Sequence, residues 1–267
     1  MGRIEILVVG HEILTGRTLE ANANWLAKRI VALGGAVARI TILDDDPEAI
    51  AALVLEAKER GTRLLLTTGG LGPTFDDRTL AGIAQAIGVP LRIDPEARQF
   101  IEDKYHALFR DGLVETDGLT PEREKMANLP AGGTWLDNPV GTAPGMAVRF
   151  GEMEIYSMPG VPREIHAMFD LALSVKLAEM FGRAGFAEVT MPTDATDESI
   201  LTRLAAEMCA KYIGLHVKTN PTYFGDDEGL RVTFSANAVT NEAARTLVEQ
   251  AMADFKKQLA AQADAGK

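Results

Sequence analysis

The stretch Leu64-Leu-Leu-Thr-Thr-Gly-Gly-Leu-Gly-Pro-Thr-Phe-Asp-Asp-Arg-Thr79 decides the fold. It opens as an apolar run of the kind found in strands buried on both faces of a parallel sheet. It breaks at Gly69, Gly70, Gly72 and Pro73, then ends in Asp76, Asp77 and Thr79, where an alanine- and leucine-rich helix begins. Strand, glycine turn and helix N-terminus make up the arrangement with which open α/β sheets bind phosphate. Glycine lets the backbone come close, and the first-turn N–H groups face the anion. The two aspartates admit two readings. Either they cap free helix N–H groups, or a divalent cation lies between them and a bound phosphate, as Mg2+ is held by one or two carboxylates plus substrate oxygens.

Working outward, residues 4–9 read as a strand closed by Gly10, followed by His11-Glu-Ile-Leu-Thr-Gly16. Leu19, Ala23, Leu26, Ile30 and Leu33 recur at helical spacing, and Gly34-Gly35 stops that helix. Residues 37–43 read as a second strand ending in Asp44-Asp45-Asp46-Pro47, whose proline opens a helix to 58. The opening is therefore β-α-β-α-β-α, which implies a parallel sheet with helices on both faces. Ligands of such sheets sit at the carboxyl ends of the strands, where 10–12 and 68–77 both fall.

Further helices are expected at 94–110 and 121–126, and strands at 146–150 and 154–158. Two more glycine/proline loops flank these strands: Asn138-Pro-Val-Gly-Thr-Ala-Pro-Gly-Met146 and Pro159-Gly-Val-Pro-Arg-Glu164, the latter opening a helix to about 181. Beyond the glycines at 182 and 185 the pattern becomes α+β. Strands are expected at 189–192, 214–218 and 230–236, a helix at 196–211, and a polar segment at 220–229. A closing helix at 242–260, with the option of packing back on the main domain, precedes a frayed tail. The division expected is 1–182, 183–240 and 241–267.

Composition narrows the function classes. Of 267 residues, 46% are hydrophobic and 24% charged, as in an ordinary globular protein. Lys+Arg 27 against Asp+Glu 38 leaves a net charge of −11. That argues against a nucleic-acid surface, which needs a basic face. An anionic ligand must then be drawn by local N–H groups, a few arginines or a metal. The single Cys209 excludes an internal disulfide and fits a reducing compartment. No run approaches the ~18 apolar residues of a membrane span, and no secretory signal is visible, so a cytoplasmic protein without membrane partners is expected.

The segment 67–79 resembles the signature of the molybdopterin-binding (molybdenum cofactor biosynthesis) domain superfamily, and within it the branch formed by the N-terminal domain of CinA, a competence/damage-inducible protein. Val9-Gly-His-Glu-Ile-Leu-Thr-Gly16 with Asn22, Asn138-Pro-Val-Gly-Thr-Ala-Pro-Gly145, and Met158-Pro-Gly-Val-Pro-Arg-Glu164 resemble that branch in the same order. The match covers about 4–180 and extends more weakly through Asp194-Ala-Thr-Asp-Glu-Ser. His11, Glu20 and Ala21 depart from the branch pattern.

The resemblance implies a three-layer α/β/α fold with a mainly parallel sheet, here joined to a small C-terminal α+β domain. It implies a small-molecule nucleotide or pterin phosphate as ligand and a homo-oligomer, dimer or trimer. In CinA-like proteins this domain is associated with metal-dependent hydrolysis of ADP-ribose; in the molybdenum-cofactor enzymes the fold adenylylates molybdopterin with Mg2+-ATP. A third reading is a binding module without turnover. The amidohydrolase domain of full-length CinA proteins is not expected here, nor is nicotinamide-nucleotide deamidation.

On the hydrolase reading Asp77, with Asp76 or Glu12, holds a divalent ion, Mg2+ or else Co2+ or Mn2+. N–H groups of Gly69, Gly70, Gly72, Gly141 and Thr142 take phosphate oxygens, Asn22 and Asn138 fix ribose or base edges, and Arg163 offers a bidentate cation. Gly10, Thr68, Thr79, Gly145, Pro159 and Gly160 complete the binding loops. Glu12 reads equally as a surface acid and Arg163 as a solvated one. His11 could carry a proton or satisfy a backbone carbonyl. His106, His166 and His216, without acidic partners at ligand spacing, read as structural, and Trp25 as packing.

Overall fold

The computed structural model describes residues 2–181, 185–195, 198–220 and 230–265. Residues 221–229 of the polar segment expected at 220–229, 182–184 at the expected switch, and 196–197 at the start of the helix expected at 196–211 lie outside the described residues.

Eleven strands and ten α-helices follow in order among the described residues: β1 Arg3–Val9, α1 His11–Leu14, α2 Asn22–Ala32, β2 Val37–Leu43, α3 Pro47–Glu59, β3 Thr62–Thr68, α4 Thr79–Ile87, β4 Leu91–Ile93, α5 Pro95–Arg110, α6 Pro121–Lys125, β5 Asn128–Pro130, β6 Thr134–Leu136, β7 Gly145–Phe150, β8 Met153–Met158, α7 Pro162–Met168, α8 Ser174–Phe181, β9 Gly185–Pro192, α9 Glu198–Lys211, β10 Leu215–Asn220, β11 Arg231–Ala238 and α10 Asn241–Ala265. A π-helical segment, Phe169–Leu173, joins α7 to α8.

Six strands form the main sheet in the order β2-β1-β3-β8-β7-β6. The pairs β1–β2, β1–β3 and β3–β8 are parallel, and β8–β7 and β7–β6 antiparallel. β1 and β3 are buried along nearly their whole length, in keeping with their mainly apolar centres. Alternation sends Leu7, Val9, Leu65 and Ile155 into one core with Ile50 and Val54 of α3, Ile83 of α4 and Ile101 of α5. Ile6, Val8 and Leu66, also buried, face the other side. There α2 meets α7 through Trp25, which stacks on His166 at 3.9 Å and meets Phe169 edge-on. The result is a three-layer α/β/α arrangement.

The chain divides into two compact units, 1–28 with 36–176 and 29–35 with 177–267. In the second, β10-β11-β9 form an antiparallel sheet, and α10 packs on β9, β11 and α9, with Phe255 edge-on to Phe234 at 5.2 Å. α10 stays helical to Ala265, where a frayed tail was expected from 261.

Three differences from expectation have local causes. The first predicted helix does not include Leu19, which is 90% exposed; the Glu20 carboxylate accepts from the Ala23 N–H at 2.8 Å, so α2 starts later. The short pair β4–β5 and edge strand β6, three residues each, carry too little periodicity to be read. No helix among the described residues is long and apolar enough to cross a membrane.

Candidate functional site

Because β2, β1, β3 and β8 run parallel, their carboxyl ends share one edge, and a cleft of about 550 Å3 opens there. The turn after β3 forms its floor. Gly69 and Gly70 both have positive φ, +93° and +65°. A side chain at Gly69 would bring its Cβ within 2.0 Å of the Val9 carbonyl oxygen, and one at Gly70 within 2.2 Å of Thr79 Oγ1. Backbone of β1, β3 and α4 thus meets in a space only glycine can occupy. The Thr79 hydroxyl, fully buried, donates to Gly69 O at 2.9 Å, and its N–H to Gly70 O at 3.2 Å. Thr79 holds the turn and does not line the cleft.

The acids do not cap α4. That helix starts at Arg78 without a side-chain cap, so the capping reading of Asp76 and Asp77 is corrected. Asp77 Oδ2 instead accepts from Thr74 N at 2.8 Å and Thr74 Oγ1 at 2.6 Å, and Asp76 Oδ1 also meets that hydroxyl. The Thr74 bond, with Lys125 nearby, draws the Asp76 carboxyl below its ordinary range. Lys125 donates to the Thr74 carbonyl and lies 3.5 Å from that of Gly72. Burial pushes its ammonium pKa down, opposed by Asp77 and Asp76.

Asp76, Asp77 and Glu12 line the cleft, joined by Asp45, which sequence reasoning missed. The three aspartates after β2 have three different fates. Asp44 pairs with His11 Nδ1 at 3.1 Å, Asp46 caps α3 through the Glu48 N–H, and Asp45 accepts the His11 N–H at 3.2 Å at the cleft edge. Burial raises the Asp45 pKa, with the charges of Asp76, Asp44 and Asp77 adding to the effect. The parallel pairing of β2 with β1 could have revealed this, since it carries Asp45 to the same edge as Glu12.

Of the other predicted residues, Gly10, Asn22, Thr68, Gly69, Gly70, Gly72, Thr142, Pro159 and Gly160 line the cleft; Asn138, Gly141, Gly145 and Arg163 do not. Two expected N–H donors are already engaged, Gly69 to Met158 O and Gly141 to Asn138 Oδ1, and the Gly10 N–H is spent on Leu43 O. Asn138 is fully buried; its amide donates to Ala143 O and Glu164 Oε2 at 2.8 and 2.9 Å, so it shapes its loop. Asn22 ties α2 to the loop after β8 by donating to Gly160 O at 2.8 Å. Arg163 is exposed, and its neighbour Glu164, also missed, is buried and lines the cleft. Thr68 Oγ1 is enclosed at the end of β3 without a hydrogen-bond partner, which calls for a ligand or water. His106, expected to lack an acidic partner, meets Asp117 at 2.6 Å.

The donor set tests whether a divalent cation fits. Glu12, Asp45, Asp76 and Asp77 offer hard oxygens to the cleft, and the charges of Asp76, Asp44 and Asp77 add to the burial that raises Asp45. No three of the described His, Cys, Asp and Glu side chains form a ready metal cage. One or two carboxylates completed by substrate phosphate and water is how Mg2+ is held, and the residues fit that mode.

A family model described as a probable molybdopterin binding domain matches residues 5–179. A Pyrococcus furiosus protein is 36% identical over 226 residues, 85% of this chain and 88% of its own. One from Aeropyrum pernix is 38% identical over 258 residues, 96% and 92% of the two chains. Among solved structures, CinA from Thermoplasma acidophilum, itself described as of unknown function, matches with TM-score 0.59 and 38% identity over 66% of this chain and 98% of that one.

Proposed function

The chain belongs to the probable molybdopterin-binding domain family, and from that premise we propose that its cleft binds a phosphorylated pterin, or a nucleotide bearing equivalent phosphates, together with a divalent cation. One observation carries this reading: a glycine turn closed to side chains stands beside four carboxylates in a single cleft of ligand size. A chain of net charge −11 has no general attraction for a phosphate. Attraction at this point needs a cation held by Asp77 and Asp76, with Glu12 and Asp45 beside them. When bound, the cation offsets the charge between phosphate and carboxylates. The Gly70–Gly72 turn lets phosphate oxygens reach backbone, Thr68 Oγ1 has a hydrogen bond left to make, and Lys125 fixes the turn from behind by holding its carbonyls.

A second reading, cleavage of a phosphoanhydride in an ADP-ribose-type substrate, is favoured by Asp45. Cation binding needs one or two carboxylates, and a carboxyl with raised pKa is suited to hold a proton for an attacking or departing oxygen. Calorimetric binding of 6-hydroxymethylpterin pyrophosphate and of ADP-ribose, each with and without Mg2+, Co2+ or Mn2+, tests both readings, with AMP release followed in parallel. Metal-dependent binding without AMP supports the binding site; metal-dependent AMP production supports the hydrolase. Affinity for neither compound under any metal defeats both.

A further inference from the structure

Glu164 is 8% exposed and lines the cleft. Its Oε2 accepts from Asn138 Nδ2 at 2.9 Å. Asn138 is locked in turn, donating to Ala143 O and accepting from the N–H groups of Val140 and Gly141. The carboxyl lies flat against Gly141, where an added Cβ would fall 2.3 Å from Glu164 Cδ. Loop and carboxylate are therefore built around each other. Among the described residues no donor reaches Oε1, and that oxygen is not enclosed, so it opens on the cleft. A nearly buried carboxylate with one oxygen unmet is costly unless a ligand or water completes it.

Its position is as informative as its bonding. Asp45 follows β2, Glu12 follows β1, Asp76 and Asp77 follow β3, and Glu164 follows β8, in the spatial order of the strands. At ~4.8 Å per strand the row spans about 14 Å. Asp76 and Asp77 are near enough to Asp45 for their charges to act on it, while Glu164 lies against Gly141 at the β8 edge of the row. A phosphate is repelled by Glu164, whose carboxyl faces Gly141 and the Asn138 amide. The group that satisfies a lone carboxylate is a pair of parallel N–H donors, as in an arginine fork. The 2-amino and N3–H edge of a pterin presents that pair.

We propose that Glu164 is the specificity-determining residue that recognises the 2-amino, N3–H edge of the ligand's ring, through the oxygen it leaves open to the cleft. This rests on the reading of the cleft as a phosphate-ligand site. The test compares 6-hydroxymethylpterin pyrophosphate with inorganic pyrophosphate, both with Mg2+, on wild type and Glu164→Gln. Glutamine keeps the length and can still meet Asn138, but it loses the charge and offers a donor of its own. Expected is a loss of at least about tenfold in affinity for the pterin compound, with pyrophosphate affinity unchanged. A second readout is competition by lumazine, whose 2-oxo edge lacks the amino donor. It should compete poorly with the pterin compound on wild type and better on Glu164→Gln. Equal affinity of both proteins for the pterin compound overturns the proposal, as does wild-type binding of pyrophosphate no weaker than the pterin compound. Either result leaves the phosphate site standing. A variant that loses pyrophosphate as well shows that Glu164 only shapes the loop. Failure of wild type to bind either compound overturns the reading of the cleft together with this one.

Discussion

Glu5→Gln probes the support beneath the site. Glu5 lies on β1, 2% exposed, and its oxygens accept from Arg60 Nε and Nη2 at 3.0 and 2.7 Å, Thr62 Oγ1 at 2.8 Å and Arg3 Nε at 2.8 Å. These contacts bind the starts of β1 and β3, the strands whose far ends carry Glu12 and the glycine turn. Burial alone pushes the carboxyl pKa up, but the bonds from Arg60, Thr62 and Arg3 outweigh it and bring the pKa from 4.5 to about 2. The folded value is the depressed one, so the stabilisation is complete above 4.5 and lost as pH falls through 2. The difference, 4.5 − 2, corresponds to about 3 kcal/mol at pH 7 and about 2 kcal/mol at pH 3.5. Glu5→Gln should therefore destabilise by about 2–3 kcal/mol at pH 7, with Arg60 keeping Glu56 at 3.0 Å as its charged partner. Both tryptophans, Trp25 and Trp135, lie in the first unit, so fluorescence-monitored urea unfolding reads that unit. The gap between wild type and variant should narrow by roughly 1 kcal/mol between pH 7 and 3.5. A gap that is constant with pH, or under about 1 kcal/mol at pH 7, would refute a charge-based origin.

Three further outcomes are expected. Gly69→Ala, with positive φ and its Cβ 2.0 Å from the Val9 carbonyl, should lose more than the ~1–2 kcal/mol of a left-handed residue alone, measured by the same unfolding assay. Asp45→Asn should raise the melting temperature of the ligand-free protein at neutral pH. The folded pKa of Asp45 is raised, so its ionisation opposes folding above the ordinary 3.8 and the gain should vanish below it; a melting temperature unchanged at pH 7 would contradict this. Asp77→Asn should weaken Mg2+-dependent binding of pyrophosphate at least about tenfold while leaving unfolding unchanged, and an unaltered Mg2+ requirement would remove Asp77 from the cation site.

Much of the architecture was legible because β1 and β3 carry the apolar runs 6–9 and 64–66 and α3 and α5 begin at Asp-Pro pairs whose aspartates cap them. Reading failed where three-dimensional direction decided. Leu19 keeps helical spacing with Ala23, yet the helix begins only after Glu20, whose carboxylate takes the Ala23 N–H. Asp44, Asp45 and Asp46 are chemically identical in sequence, and only the exit angle of β2 assigns one to His11, one to the cleft and one to α3. Arg163 and Glu164 are adjacent on a helix, about 100° apart around its axis; the attractive residue for a phosphate was the cation, and the one turned inward is the acid. Counting glycines also overstated the free N–H groups, because those of Gly69 and Gly141 are spent within the fold.

The contact between Gly141 and Glu164 also limits how this protein can change. The limit runs one way: position 164 can shorten by itself, whereas a side chain at position 141 meets the Glu164 carboxylate. With 2.3 Å between a would-be Cβ at 141 and the Glu164 carboxyl carbon, alanine at 141 requires a shorter residue at 164. Gly141→Ala combined with Glu164→Asp should therefore be more stable than Gly141→Ala alone, a coupling that a double-mutant cycle measures directly.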